Sequence, residues 1–99
     1  MRLNQKEIEV INSCCFKVFG AKAKVFLFGS RIDDSKKGGD IDLLIVTEPI
    51  SGVNHFERKL NFLVELKKQI GDQKIDVLVD YGQELDDVYR TASREGIEL

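Results

Sequence analysis

The 99-residue chain has only two cysteines, Cys14 and Cys15, and they are adjacent. Neighbouring cysteines rarely close a disulfide without strain, so the sequence offers no disulfide framework. Long apolar runs are missing too: nothing approaches the ~18–20 residues that span a bilayer. The N-terminal stretch MRLNQKEIEV lacks the apolar centre of a signal peptide. No membrane partner is expected, which leaves the cytoplasm. Nor is there an excess of positive charge, because 15 Lys and Arg stand against 17 Asp and Glu for a net charge of -2. That balance argues against a protein that coats nucleic acid through bulk charge. The single histidine, His55, sits where a helix is expected to start and is read as a surface or capping residue. Repeats, low-complexity tracts and linkers are also absent, so residues 1–99 are expected to form one domain. With 42% hydrophobic and 32% charged residues, the composition is that of an ordinary globular protein.

What is present reads as alternating helices and strands. Ile8, Ile11, Cys15, Val18 and Phe19 recur at three- and four-residue spacing within Leu3 to Phe19, predicting an amphipathic helix that stops at Gly20. Cys14 and Cys15 fall inside this pattern as small core residues. Val25 to Phe28 form a short β-prone run ending at Gly29-Ser30, and Arg31 to Gly39 read as a loop with a short helical start. Asp40 to Thr47 (DIDLLIVT) predict a second strand, broken at Glu48-Pro49. Asn54 caps a second helix whose apolar stripe is expected to be Phe56, Leu60, Leu63, Leu66 and Ile70. Glu57, Arg58, Lys59, Lys67 and Lys68 are expected to face water, and Gly71 to end the helix. Lys74 to Asp80 (KIDVLVD) predict a third strand, and Leu85, Val88, Tyr89 and Ala92 a last helix ending near Gly96. A helical crossover between the second and third strands makes them parallel neighbours. The fold class is therefore α/β, a small mixed three-stranded sheet with flanking helices. Most of the phenylalanines, Phe16 and Phe56 included, are assigned to the core. Tyr81 and Tyr89 could line a pocket or cover the sheet edge.

The chemistry lies at the strand ends. Residues two apart on a strand share a face, so Asp40 and Asp42 project together while Ile41, Leu43 and Ile45 project oppositely. Asp76 repeats the arrangement on the third strand, and parallel pairing sets it beside Asp42. Three convergent carboxylates are the oxygen donors that hold one or two Mg²⁺ ions. Gly29 and Ser30, at the end of a strand, offer backbone N–H groups and a hydroxyl to a phosphate, and Arg31, Lys36 and Lys37 are nearby cations.

These residues carry a family likeness. The run FLFGSRIDDSKKGGDIDLLIV, followed after a helix by KIDVLV, resembles the nucleotidyltransferase superfamily that includes DNA polymerase β. It is most similar to the minimal stand-alone MNT proteins that pair with HEPN proteins. The likeness spans residues 25 to 80. It implies that Gly29, Ser30 and Arg31 bind the triphosphate of ATP or another NTP, and that Asp40 and Asp42 hold Mg²⁺. It further implies that Asp76 is the third carboxylate and activates an acceptor hydroxyl. The implied act is AMP transfer to a partner protein that silences a HEPN toxin. The pattern is departed from in two places. Nine residues, Arg31 to Gly39, separate Ser30 from Asp40, one fewer than usual, and Asp33-Asp34 add negative charge near the phosphate site.

Three readings follow. The first is a Mg²⁺-dependent nucleotidyltransferase acting on a HEPN-like partner. The second is a catalytically weak nucleotide-binding module that clamps such a partner, and the third a small protein whose acidic cluster binds a stabilising ion. The resemblance to minimal members, which lack the helical domain that encloses substrate in larger nucleotidyltransferases, implies that a partner or a second copy supplies that wall. Tyr89, Ile97 and Leu99 near the C-terminus are one expected contact.

Overall fold

The computed structural model describes residues 3–29, 40–49, 51–71, 73–83 and 87–99. The elements run α1 (Gln5–Phe19), β1 (Lys24–Phe28), β2 (Ile41–Val46), α2 (His55–Ile70), β3 (Ile75–Asp80), α3 (Asp87–Glu95) and β4 (Ile97–Glu98). The loop expected over Arg31 to Gly39, and with it Ser30, lies outside the described residues. The helix starts are set by side-chain caps. Asn4 accepts from the Glu7 N–H at 2.8 Å while Glu7 accepts from the Asn4 N–H at 3.1 Å, a reciprocal capping box. Asn54 accepts from the Glu57 N–H at 3.1 Å, as expected of a cap worth about 1 kcal/mol. Both helices end at glycines with positive φ, Gly20 and Gly71.

The sheet has the order β3-β2-β1-β4. β1 runs antiparallel to β2, and β2 runs parallel to β3 through the α2 crossover, which gives the expected mixed sheet. A fourth strand extends it. Ile97 and Glu98 pair antiparallel with Leu27 and Phe26, and the Leu99 N–H donates to the Val25 carbonyl at 2.9 Å. Two residues are too short to show alternation, which is why β4 cannot be read from the sequence. The C-terminal segment expected as a partner contact thus pairs with β1, leaving Tyr89 and Leu99 half-buried and Ile97 39% exposed.

Alternation along the strands divides the molecule into layers. Val25, Leu27, Ile41, Leu43, Ile45, Ile75, Val77 and Val79 face α1 and α2 and join their buried residues in one core. The opposite face carries Leu44, buried beneath α3 together with Ala92. No helix among the described residues is long and apolar enough to cross a membrane.

The expected stripe of α2 is displaced. The helix buries Phe62 and Leu66, with Leu63 and Ile70 partly covered, whereas Phe56 and Leu60 are exposed at 65% and 44%. The physical reason is that α2 must touch two neighbours at once. Phe62 meets Phe19 of α1, with ring centroids 5.8 Å apart, while the same side of the helix covers β3. Arg58, expected in water, lies with its guanidinium 4.8 Å over the Phe19 ring and donates to the Val18 carbonyl at 3.2 Å. Phe16, also expected in the core, is 66% exposed. Cys14 and Cys15 are buried as expected, and burial pushes the Cys15 thiol up to about 11.

β3 forms one border of the sheet, and Gln83 covers part of it. Its side-chain N–H donates to the Val79 carbonyl and its oxygen accepts from the Tyr81 N–H, both at 2.8 Å. The amide imitates the next strand at that point and blunts the edge.

The rotation of α2 makes a direct prediction. Phe62→Ala should cost about 3–5 kcal/mol, the range for a fully buried phenylalanine, and Phe56→Ala should stay within about 0.5 kcal/mol of the parent. Urea unfolding of both variants checks this, and equal losses would contradict the observed helix face.

Candidate active site

The parallel register pairs Asp42 with Asp76 directly, one residue beyond the Ile41–Ile75 pair. Both therefore stand on the sheet face away from α1 and α2. Register in this pair is fixed by the core side of the same strands: a slip of one residue would turn Ile41, Leu43 and Ile45 into solvent. Burial of these apolar residues thus sets the carboxylates opposite one another. Asp40 precedes β2 and is partly exposed, with its carboxylate 3.4 Å from the Lys74 ammonium. The Lys74 side chain is largely in water and Asp40 partly so, and the pair's contribution to stability is small.

β1 brings a third element to the same place. Phe28 is the antiparallel register partner of Asp42, so the next residue, Gly29, turns beside the Asp42 side chain. A Cβ on Gly29 would collide with Asp42 Oδ2 and stand 3.1 Å from its Cγ. The backbone there has φ +79°, a region that disfavours any residue with a Cβ. Glycine at this position is required twice, by conformation and by the carboxylate against it.

Crowding shows in the protonation of Asp42. Its pKa is raised, first by burial, then by the charges of Asp76 and Asp40 and a hydrogen bond with Asp76, and opposed by Lys74. Such a set is all oxygen and like-charged, with Lys74 beside it among the described residues, which suits a hard divalent cation better than a soft one. Among the described residues no group of three acidic, imidazole or thiol side chains is already gathered as a metal site. The carboxylates are adjacent, and Asp40 is held by Lys74.

Other expected positions fall elsewhere. Ser30, Arg31, Lys36 and Lys37 lie outside the described residues. Tyr81 and Tyr89 line a cleft of about 170 Å³ with His55, Phe56 and Lys59, where β3 ends, five residues along the chain from Asp76. The His55 ring stacks on Tyr81, with centroids 3.8 Å apart. Lys74 was missed in the sequence, although the parallel register, extended one residue back from Ile41–Ile75, sets it opposite Asp40.

A family model described as "Polymerase beta, Nucleotidyltransferase" matches residues 15–99. The chain belongs to the polymerase β-like nucleotidyltransferase family. The match takes in Gly29, Asp40, Asp42 and Asp76 as well as α3 and β4. No curated protein matches the chain. As a nucleotidyltransferase, the protein has nucleotidyl transfer as its general chemistry, and the small mixed sheet with three helices among the described residues is consistent with that family's fold.

The raised pKa of Asp42 has a consequence for stability. A carboxyl whose pKa is higher in the fold than in the unfolded chain favours folding at pH below its ordinary value. It loses that contribution as pH rises through the raised value. Without divalent cations, Asp42→Asn should therefore melt above the parent at pH 7, and the gap should close below about pH 4, under the ordinary Asp range. Thermal unfolding in EDTA across pH measures it. A parent that melts higher at pH 7 would contradict the crowding.

Proposed function

We propose that this nucleotidyltransferase moves AMP from ATP, or the nucleotidyl group of another NTP, onto a hydroxyl of a cytoplasmic partner protein. The observation that carries the reading is the register pair Asp42–Asp76 with Gly29 against Asp42. Asp40, Asp42 and Asp76 would hold Mg²⁺, which supplies charge neutralisation at the phosphates. Gly29, and Ser30 and Arg31 after it, receive the triphosphate.

The acceptor hydroxyl oxygen attacks the α-phosphorus and forms the new P–O bond. The bond from that phosphorus to the α,β-bridging oxygen breaks, and pyrophosphate leaves with the electron pair. Asp76 takes the hydroxyl proton. Its exposure leaves it open to a macromolecule, and positioned general bases of this kind contribute about 10²–10⁴-fold. Asp42, half-buried beneath the Gly29 turn, orients the phosphate end. A protein acceptor is supported by the net charge of -2, which disfavours a nucleic-acid acceptor. A HEPN-like partner, with the transfer acting as its antitoxin, is the specific form of this reading.

The Lys74–Asp40 ion pair favours a second reading. With a cation of its own at the carboxylates, the protein would bind nucleotide, turn it over slowly and clamp the partner.

One labelling experiment separates the two. With Mg²⁺ and the protein encoded beside this one, or a lysate, α-³²P-ATP should label an acceptor protein and γ-³²P-ATP should not. Asp42→Asn should cut the label by at least about 100-fold, the midrange of a general acid–base or electrostatic contribution. Label from the γ-phosphate, or undiminished label in the variant, would overturn the transfer reading. ATP binding without label would favour the clamp.

A further inference from the structure

A second cleft opens on the carboxylate face of the sheet, and nothing in the reading above uses it. It has a volume of about 270 Å³ and is lined by Phe28 of β1 and by Asp87, Thr91 and Ala92 of α3. Its position follows from the registers. Phe28 pairs with Asp42 and Asp42 pairs with Asp76. Residues directly opposed on neighbouring strands share a face, so Asp76, Asp42 and Phe28 form one row across the sheet. The ring of Phe28 is thus the next side chain beyond the carboxylates. α3 stands over it, anchored by the buried Ala92 and by close packing at Gly96, where an added Cβ would come 3.1 Å from Phe26 Cβ.

We propose that the cleft between Phe28 and α3 takes the base of the nucleotide, with the Phe28 ring as its stacking surface. The inference rests on the nucleotidyl-transfer reading of the neighbouring carboxylates. Three features decide what enters. Complete small-molecule pockets occupy about 300–1,000 Å³, so a 270 Å³ cleft accommodates part of a nucleotide rather than the whole. An aromatic ring and the Ala92 methyl offer the apolar walls that a base stacks against. The one charged residue lining it among the described residues is Asp87, which repels phosphates and accepts hydrogen bonds from ring or amino N–H groups. The base therefore lies toward α3 and the triphosphate toward Gly29, with the α-phosphate between them at the row of carboxylates. The Thr91 hydroxyl, one helical turn beyond Asp87, offers a second polar contact at the mouth.

Calorimetric titration with Mg²⁺ tests this with two probes, ATP and inorganic tripolyphosphate, which lacks a base. Phe28→Ala should weaken ATP by about 5-fold or more, as loss of base–aromatic stacking does, and leave tripolyphosphate within about twofold. Thr91→Trp changes an exposed position of α3 and fills the cleft, so it keeps the test open if Phe28→Ala fails to fold. It should weaken ATP and spare tripolyphosphate in the same way. Unchanged ATP affinity in a folded variant, or equal loss of both probes, overturns the base site. If the parent binds neither probe, the failure lies in the nucleotidyl-transfer reading itself, and the base site falls with it.

Discussion

Asp42 and Asp76 oppose each other across the parallel pair β2–β3, and like charges so placed weaken a sheet. The arrangement persists because the other face of the same strands is the core: Ile41, Leu43, Ile45, Val77 and Val79 are all buried. At about 1.5–3 kcal/mol for each large apolar side chain removed from water, that burial outweighs the repulsion of two partly solvated carboxylates. The smallest slip that would part the charges, by one residue, would also exchange the two faces and turn the core side outward. The acidic cluster is therefore a strain imposed by the fold, and the raised pKa of Asp42 is its electrostatic signature. Strained like-charge clusters of this kind are where binding of a cation yields most, and perturbed carboxyls mark functional sites more often than chance.

The rest of the structure follows from that row. The antiparallel pairing of β1 carries Phe28 beside Asp42 and forces glycine at the next position, where any side chain would strike the carboxylate. α3 and β4 then close one flank of the same face, β4 by joining β1 and α3 by burying Ala92 over Leu44. The other flank ends at β3, where Gln83 covers only the C-terminal part of the border. Among the described residues, the site is thus walled on the β1 side and open on the Asp76 side. That asymmetry matches a reaction in which the nucleotide lies along the wall and a large acceptor approaches from the opening.

Much of this was legible in the sequence because strand geometry has a strict period of two. The spacing of Asp40 and Asp42, the alternation of KIDVLVD and the crossover helix were enough to place Asp42 against Asp76. Helix faces were less legible. α2 carries apolar residues around more than half its circumference, so Phe56 and Leu60 fit a stripe as well as Phe62 does, and only contact with Phe19 and β3 decides between them. β4 was hidden by its length, and the salt link of Lys74 to Asp40 by being a tertiary consequence of register. The capping box at Asn4 and Glu7, by contrast, has a sequence signature, an Asn followed three residues later by Glu, that fixes the start of α1.

The central claim is that the register pair Asp42–Asp76 makes a divalent-cation site. Mn²⁺ is a paramagnetic stand-in for Mg²⁺ with the same preference for oxygen ligands, and its binding to the protein without ATP, which would itself chelate the ion, can be counted by electron paramagnetic resonance. The account predicts saturable binding by the parent, weakened at least about tenfold by either Asp42→Asn or Asp76→Asn, a loss of about 1.4 kcal/mol. Equal Mn²⁺ affinity in the parent and both variants would contradict it.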